Sequence, residues 1–275
     1  MARVAALFQY PVKGCAGVEV SEGLLGRAGL GPDRTFMVVD AADGDFLSQR
    51  KDPRLAVVRP DLTEDGARLT LSAPGLEPVE VRVDPGESPE RSAVSIHGKP
   101  YTGVDQGESV ADWFSTLLGR PCRLVRVPPE HDRLTSGETE GTAGFADSTA
   151  VLMTSTASLA ELNDRLAAKG EPALPMNRFR PNVVVDGWDE PHVEDRVRRV
   201  EIGEAEIGFA KLAARCAVTM VDQGAGERRG PEPLRTLADY RRVDGGVVFG
   251  VRCAVTRAGK VSVGDGLRVT RWASP

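Results

Sequence analysis

Stretches in which apolar and polar residues alternate recur along most of the chain, and turns that contain glycine separate many of them. Alternation with a period of two is typical of β-strands that bury one face. The predicted elements are three hairpins at residues 35–50, 54–73 and 93–105, turning at Gly44, Gly66 and His97-Gly98, and one further strand at 79–84. So many short strands predict a mainly β (α+β) fold with barrel or sandwich architecture and a few short helices.

Apolar residues at helical spacing occur in only a few places. Residues 108–120 place their apolar side chains on one face, and Gly119 suits the end of that helix. A second helix is predicted within 154–170, where Ser158 and Glu161 fit a capping box, and a third, shorter one within 231–242. The longest polar, glycine-rich stretch, residues 128–149, is typical of loops that carry binding function.

The chain has room for two domains of ordinary size, because it is 275 residues long. No linker of low complexity marks a boundary. We predict two β-barrel-like domains, the first covering residues 1–95 and the second 96–275.

The composition excludes several classes of partner. The net charge is −5 and the basic residues are scattered, so we expect no binding to nucleic acid. No apolar run approaches the roughly 20 residues that cross a bilayer, and the first apolar stretch is too short for a signal peptide, so we expect no membrane association and a cytoplasmic location. The cysteines show no spacing typical of zinc or iron–sulfur sites, and we expect Cys122 and Cys253 to be small buried hydrophobes.

Cys216 is a candidate functional cysteine. Arg215 directly precedes it, and a strand-like apolar run follows it. A nearby cation favours the thiolate, which is the form that binds soft metals. Strand alternation would point Arg215 and Cys216 to opposite faces, in which case Arg180 or another cation would help instead. From the residues alone, a buried core cysteine among small apolar neighbours is the favoured interpretation.

Polar residues at the mouths of predicted strands are candidate anchors for an anion. Arg34 and Arg180 each precede an apolar strand, Lys13 lies beside another, and Asn182 follows Arg180 closely. An arginine offers a planar fork of donors to phosphate, whereas a lysine supplies a mobile point charge. Each of these cations is otherwise explained as an ordinary surface charge.

Six motifs occur in a defined order along nearly the whole chain: YPVKGC, GPDRTFMVVD, FLSQRKDPRLA, FRPNVVVDG, ARCAVTMVD and GKVSVGD. In this order they resemble the MOSC family. The resemblance is to the group that pairs an N-terminal MOSC-associated β-barrel domain with the MOSC domain, typified by the mitochondrial amidoxime-reducing component and its bacterial relatives.

The resemblance implies that the chain binds molybdenum cofactor, the Mo-molybdopterin form, with Cys216 as the metal ligand. Gly14 stands where relatives often carry serine. A helix N-terminus is a natural place for a phosphate, although Ser155 is equally explained as a simple helix cap. The residues carried over as cofactor contacts are Lys13, Gly14, Arg34, Thr154, Ser155, Arg180, Asn182 and Arg215.

The implied activity is the reduction of small N-hydroxylated substrates (amidoximes, hydroxylamines and N-hydroxylated bases) with release of water. Electrons would come from a separate electron-transfer protein of the ferredoxin or flavin reductase type. Asp222 is a candidate proton donor, although a turn residue at the end of a strand is the favoured interpretation. Two rival functions are a sulfur carrier or cofactor-handling protein that uses Cys216, and a β-barrel binding module without enzymatic activity.

Overall fold

The computed structural model describes residues 1–84, 87, 90–244 and 246–274. Most of its regular structure is strand. The strands are β1 Arg3–Gln9, β2 Val12–Lys13, β3 Val18–Val20, β4 Glu22–Gly26, β5 Gly29–Leu30, β6 Phe36–Asp40, β7 Arg59–Leu62, β8 Arg68–Ala73, β9 Leu76–Arg82, β10 Ser92–Ile96, β11 Lys99–Asp105, β12 Cys122–Arg126, β13 Leu134–Thr135, β14 Gly141–Thr142, β15 Val151–Ser155, β16 Val183–Asp186, β17 Val197–Ile202, β18 Ala205–Ala214, β19 Val221–Asp222, β20 Glu227–Arg228, β21 Arg242–Val243, β22 Gly246–Arg257, β23 Gly259–Ser262 and β24 Leu267–Trp272. The helices are α1 Glu108–Leu118, α2 Thr156–Ala167 and α3 Leu234–Tyr240, with 3₁₀ turns at Pro53–Val57, Met176–Arg178, Val193–Arg196 and Ala217–Met220.

The largest sheet has the strand order β24-β17-β18-β22-β15-β16-β1-β3, and β21 adds to β22. Its pairs are antiparallel except β15 with β16. One face carries an apolar core built from alternate residues of neighbouring strands, including Leu7, Met153 and Val251. Because β1 pairs with β16, the first residues of the chain are part of a sheet whose other members come mostly from its second half.

A second sheet has the order β10-β11-β12-β6-β2, with β2 parallel to β6. Strand β6 is buried on both faces, which explains its continuous apolar sequence. Phe36 and Val38 pack into a core that α1 and β7–β9 cover, whereas Met37 and Val39 pack on the other side with Phe145. The predicted boundary between residues 95 and 96 falls within β10 and stays a prediction.

The predicted mainly β fold with a few short helices is confirmed, and so are the hairpins β7–β8 and β10–β11. The first hairpin is only partly formed. After a bridge between Val39 and Phe46, the Leu47 amide donates to the Val38 carbonyl oxygen at 2.8 Å. Residues 48–50 then leave the sheet, and Gln49 donates to the Gly14 carbonyl oxygen at 2.6 Å.

All three helices form where the periodicity predicts them, and Gly119 ends α1 in the left-handed conformation. The predicted capping box is wrong. The N-cap of α2 is Ser155, whose side chain accepts a bond from the Ser158 amide, and Glu161 instead pairs with Arg165.

Cys122 and Cys253 are buried as expected. Within the described ranges, the helices are too short or too polar to span a bilayer.

Candidate functional site

One pocket collects most of the predicted site residues. It lies between the segments around residues 13–14 and 46–50 and the large sheet, with about 810 Å3 of empty space when its open side is counted. Among its described lining residues, six are cationic and Asp147 carries the one carboxylate. The charged lining residues are Lys13, Arg34, Arg50, Asp147, Arg180, Arg215 and Arg252, and the other polar or sulfur-containing ones are Ser48, Gln49, Thr149, Asn182, Cys216 and Thr219.

The register of the large sheet directs side chains into the pocket. Leu152 of β15 lies opposite Arg252 of β22, while their neighbours Met153 and Val251 belong to the apolar core. Successive side chains on a strand point to opposite faces. Leu152 and Arg252 therefore face the pocket, which places a cation in the middle of a strand that is otherwise largely apolar.

Cys216 follows the end of β18 and begins the 3₁₀ turn Ala217–Met220. Its carbonyl oxygen accepts bonds from the amide and the hydroxyl of Thr219, at 3.0 and 2.9 Å, which fixes the backbone. The side chain is half-buried and lines the pocket, so Cys216 is not the core cysteine that the residues alone favoured. Its use as a metal ligand stays a prediction.

The cation that contacts Cys216 is Arg50, whose Nε lies 3.4 Å from Sγ. Partial burial works against the charged guanidinium, but its hydrogen bond and charge interaction with Cys216 outweigh this effect, and the pKa of Arg50 is raised. Sequence reasoning missed Arg50, although it lies in the quoted motif FLSQRKDPRLA. Sequence separation hid it, because the two residues are 166 positions apart.

Arg215 also lines the pocket, so the predicted opposition of Arg215 and Cys216 is wrong. Strand alternation does not apply to this pair because β18 ends at Ala214. Arg215 donates from Nη2 to the Phe179 carbonyl oxygen at 2.6 Å, and its buried Nε has no partner. Burial, followed by the charge of Arg252, lowers the pKa of Arg215 to about 9. A buried donor without a partner is costly and is typical of a site that awaits a ligand.

Arg34 and Arg180 both pack against the Tyr10 ring, with guanidinium carbons 4.4 and 4.3 Å from its centroid. Both have positive φ angles, 48° and 56°, which are uncommon for residues other than glycine and often mark functional positions. Arg34 pairs with Asp33 at 2.5 Å, and Arg180 donates to the Cys15 carbonyl oxygen at 2.6 Å. Burial lowers the pKa of Arg180.

Asn182 is fully buried and holds this side of the pocket together. Its amide nitrogen donates to the Phe8 carbonyl oxygen at 3.1 Å and to Asp33 at 2.9 Å. Its amide oxygen accepts from the Leu152 amide at 3.1 Å and from Arg34 at 3.2 Å. Because these bonds already use its amide, Asn182 serves the pocket mainly by positioning Arg34.

Lys13 and Gly14 lie at the pocket as well. Lys13 donates to the Phe145 carbonyl oxygen at 2.8 Å and forms an ion pair with Asp147, and burial lowers the pKa of this lysine. Gly14 has φ 85°, a value that favours glycine. Two glutamines that the sequence did not single out extend this region: Gln49 bonds to Gln223, and Gln223 accepts from Arg180 at 3.0 Å.

Thr154, Ser155 and Asp222 do not line the pocket. The Thr154 hydroxyl contacts the Met176 sulfur at 3.3 Å, and Ser155 caps α2. Asp222 accepts from Arg178 at 3.1 Å and from the amides of Gly224 and Ala225 at 3.0 Å, as a turn residue does. The structure thus brings together seven of the ten predicted site residues and leaves these three outside; their predicted roles stay predictions.

The chemistry of this pocket is that of an anion site with one thiol. Guanidinium groups face a half-buried sulfur, and one buried donor, Nε of Arg215, has no protein partner. Soft thiolate ligands suit molybdenum, and guanidinium groups suit phosphate. The residues present therefore fit a metal–pterin cofactor that carries a phosphate.

Comparisons with known proteins agree with this class of site. Residues 1–121 match the MOSC N-terminal beta barrel domain and residues 140–268 match the MOSC domain. The chain is 34% identical over 284 residues to mitochondrial amidoxime-reducing component 1 of Homo sapiens, covering 95% of this chain and 81% of the relative. It is also 34% identical over 264 residues to molybdenum cofactor sulfurase of Danio rerio, covering 90% of this chain but 31% of that longer protein. The chain belongs to the MOSC family.

Proposed function

We propose that this protein binds molybdenum cofactor and reduces small N-hydroxylated compounds, namely amidoximes, hydroxylamines and N-hydroxylated bases. The observation that carries the proposal is the position of the Cys216 sulfur at a pocket lined by six cations. The name of the human relative, amidoxime-reducing component, supports this activity over others within the family.

The side chains divide between holding the metal and holding the cofactor's phosphate and pterin. Cys216 is the proposed metal ligand, and Arg50 holds its sulfur in place. Lys13, Arg180 and Arg215 are the proposed contacts of the anionic part and Arg34 is a proposed contact of the pterin, with Gly14 lining the pocket beside them. When bound, the cofactor supplies the two-electron redox chemistry, and the protein supplies position and charge.

We propose that a separate electron-transfer protein, of the ferredoxin or flavin reductase type, supplies the electrons for this reaction. In the part of the chain that the structure describes, no group of three or more histidine, cysteine or acidic side chains is placed to hold a metal cluster. The expected cytoplasmic location is part of the same proposal.

The test is expression in a host that makes molybdenum cofactor, followed by metal and pterin analysis and an assay with benzamidoxime. Reduced viologen dye serves as the electron source. We expect about one molybdenum and one pterin per chain and conversion of benzamidoxime to benzamidine. A molybdenum-replete preparation that reduces no N-hydroxylated compound under these conditions contradicts the reductase proposal.

A sulfur carrier or cofactor-handling protein is the second candidate, favoured by the 34% identity to a molybdenum cofactor sulfurase. The half-buried Cys216 sulfur is accessible enough to carry a persulfide. Transfer of labelled sulfur from Cys216 to an acceptor, in a preparation that does not reduce benzamidoxime, would favour this candidate. A preparation that contains no molybdenum would favour the remaining alternative, a β-barrel binding module without enzymatic activity.

A further inference from the structure

Three cations lie at and beside the pocket, and the charge of Asp147 acts on one of them, Arg252, without forming an ion pair with it. They are Arg252 on β22, Lys211 on β18 and Lys99 on β11. Within the described ranges, none of their side chains makes a hydrogen bond or an ion pair. The other cations of the pocket differ, because Lys13, Arg34, Arg50, Arg180 and Arg215 each donate to a side chain or a carbonyl oxygen.

The sheet register places two of these cations side by side. Lys211 and Arg252 are directly opposite each other on β18 and β22. The neighbouring pair, Leu212 and Val251, packs in the apolar core, so the two cations share the face that is turned away from that core. Arg252 reaches the pocket that Cys216 lines.

Lys99 is the first residue of β11 in the second sheet, directly after the β10–β11 turn, and its charge acts on Lys211. Burial, then the charge of Arg252, then that of Lys99 lower the pKa of Lys211. Like charges that lie together at a partly buried position destabilise the folded protein unless an anion joins them. The three cations together with the pocket therefore have the character of an anion site that extends from Cys216 towards the surface.

The anionic part of the cofactor already has Lys13, Arg180 and Arg215 as its proposed contacts. We propose that Arg252, Lys211 and Lys99 bind a carboxylate or phosphate group of the substrate, so that the protein selects N-hydroxylated compounds that carry an anionic group. This inference rests on the proposed function and names the substrate class of the same site. The group that these cations recognise belongs either to the substrate or to an extended cofactor with a second phosphate, and the experiment separates the two.

The test uses the oxidised holoprotein without an electron donor, so that ligands bind but do not react. Calorimetry compares benzamidoxime with its 4-carboxymethyl and 4-aminomethyl derivatives, which differ in charge and keep the reacting group the same. We expect the carboxymethyl compound to bind about tenfold more tightly than benzamidoxime, since a charge-assisted contact supplies about that factor. The aminomethyl compound should bind most weakly.

Matched variants test whether these three cations cause the preference for the carboxymethyl compound. In Arg252→Gln and in the double variant Lys99→Gln/Lys211→Gln, the ratio of the affinity for the carboxymethyl compound to that for benzamidoxime should fall towards one. Arg257→Gln removes the same charge from the exposed end of β22 and should keep the full preference. Equal affinities of the three compounds for the parent holoprotein would overturn the inference.

Cofactor analysis of the same samples decides the source of the anion. Loss of pterin from Arg252→Gln, or extraction of a cofactor that carries a nucleotide, assigns these cations to the cofactor and overturns the inference. A holoprotein that selects the anionic compound but reduces none of the three with reduced viologen leaves the anion site standing and contradicts the reductase proposal. The two failures are therefore distinguishable.

Discussion

The pocket around Cys216 and the N-terminus of α2 both have the features of an anion site. They differ in whether their hydrogen-bond donors already bond to other groups of the protein. At α2, Ser155 donates to one oxygen of Glu194 at 3.0 Å and Ser158 donates to the other at 2.7 Å. In the pocket, the buried Nε of Arg215 has no partner.

The comparison teaches that a helix N-terminus is available to a phosphate only when the chain's own carboxylates leave it open. A helix N-terminus stabilises any negative charge, and a buried glutamate serves as well as a phosphate. Glu194 is fully buried at that position, and burial raises its pKa despite the two serine hydroxyls. We therefore infer that external anions bind in the pocket, and that Ser155 stabilises the fold.

The largest expected effect comes from the sulfur in the pocket. Cys216→Ser replaces a soft ligand with a hard one, so we expect at least a tenfold loss of molybdenum with an unchanged Tm. Cys253→Ser is the matched control, because it places a hydroxyl in the apolar core and should cost about 1–3 kcal/mol of stability while folded protein keeps its molybdenum. Metal analysis and thermal unfolding measure both. Stoichiometric molybdenum in Cys216→Ser would show that this sulfur is not the ligand.

The next effect concerns the paired arginines around Tyr10. Arg34→Ala and Arg180→Ala should each lower pterin occupancy, because losing a charge-assisted contact of about 1.5–3 kcal/mol reduces the affinity roughly tenfold to hundredfold. Pterin fluorescence of the folded fraction measures this loss. Arg271→Ala is a suitable control, since this side chain is 53% exposed and pairs with Glu138. Equal pterin content in the three variants would remove both arginines from the site.

Ser155→Ala tests whether Ser155 stabilises the fold at the N-terminus of α2 or contacts the cofactor. Loss of the cap and of the bond to Glu194 should lower the free energy of unfolding by about 1–2 kcal/mol and leave pterin occupancy unchanged. Ser109→Ala, at an exposed position in α1, should change neither quantity. If Ser155→Ala instead loses pterin at constant stability, Ser155 contacts the cofactor, as the family resemblance predicts.

The smallest effect is a pH dependence at Glu194. Burial raises the pKa of this carboxyl in the folded protein, so the folded state holds its proton more tightly than the unfolded state does. That contribution is complete below the unfolded pKa and is lost as pH rises through the folded pKa. Glu194→Gln lacks the titration, so its Tm relative to the parent should rise as the pH increases above 4.5, the usual pKa of a glutamate. A difference in Tm that does not change with pH would contradict the raised pKa.

Local pattern was enough to predict the three helices and the hairpins β7–β8 and β10–β11. The alternation of residues 93–105 gives a hairpin because both partners lie within one short stretch of chain. The second strand of the hairpin predicted at residues 35–50 forms only in part, because Gln49 and Arg50 reach partners at Gly14 and Cys216. Local sequence carries no information about partners so far along the chain.

The sequence by itself determined the mainly β class, the three helices and, through the order of its motifs, the family and the candidate sulfur Cys216. Only the tertiary structure decided which cations surround that sulfur. Arg50 reaches it from the first half of the chain, and Arg252 enters the pocket because the sheet register turns it away from the core. Only the tertiary structure, too, placed Glu194 at the N-terminus of α2. The physical reason is that strand and helix signals are local, whereas charge and burial at a site depend on side chains that the fold brings together.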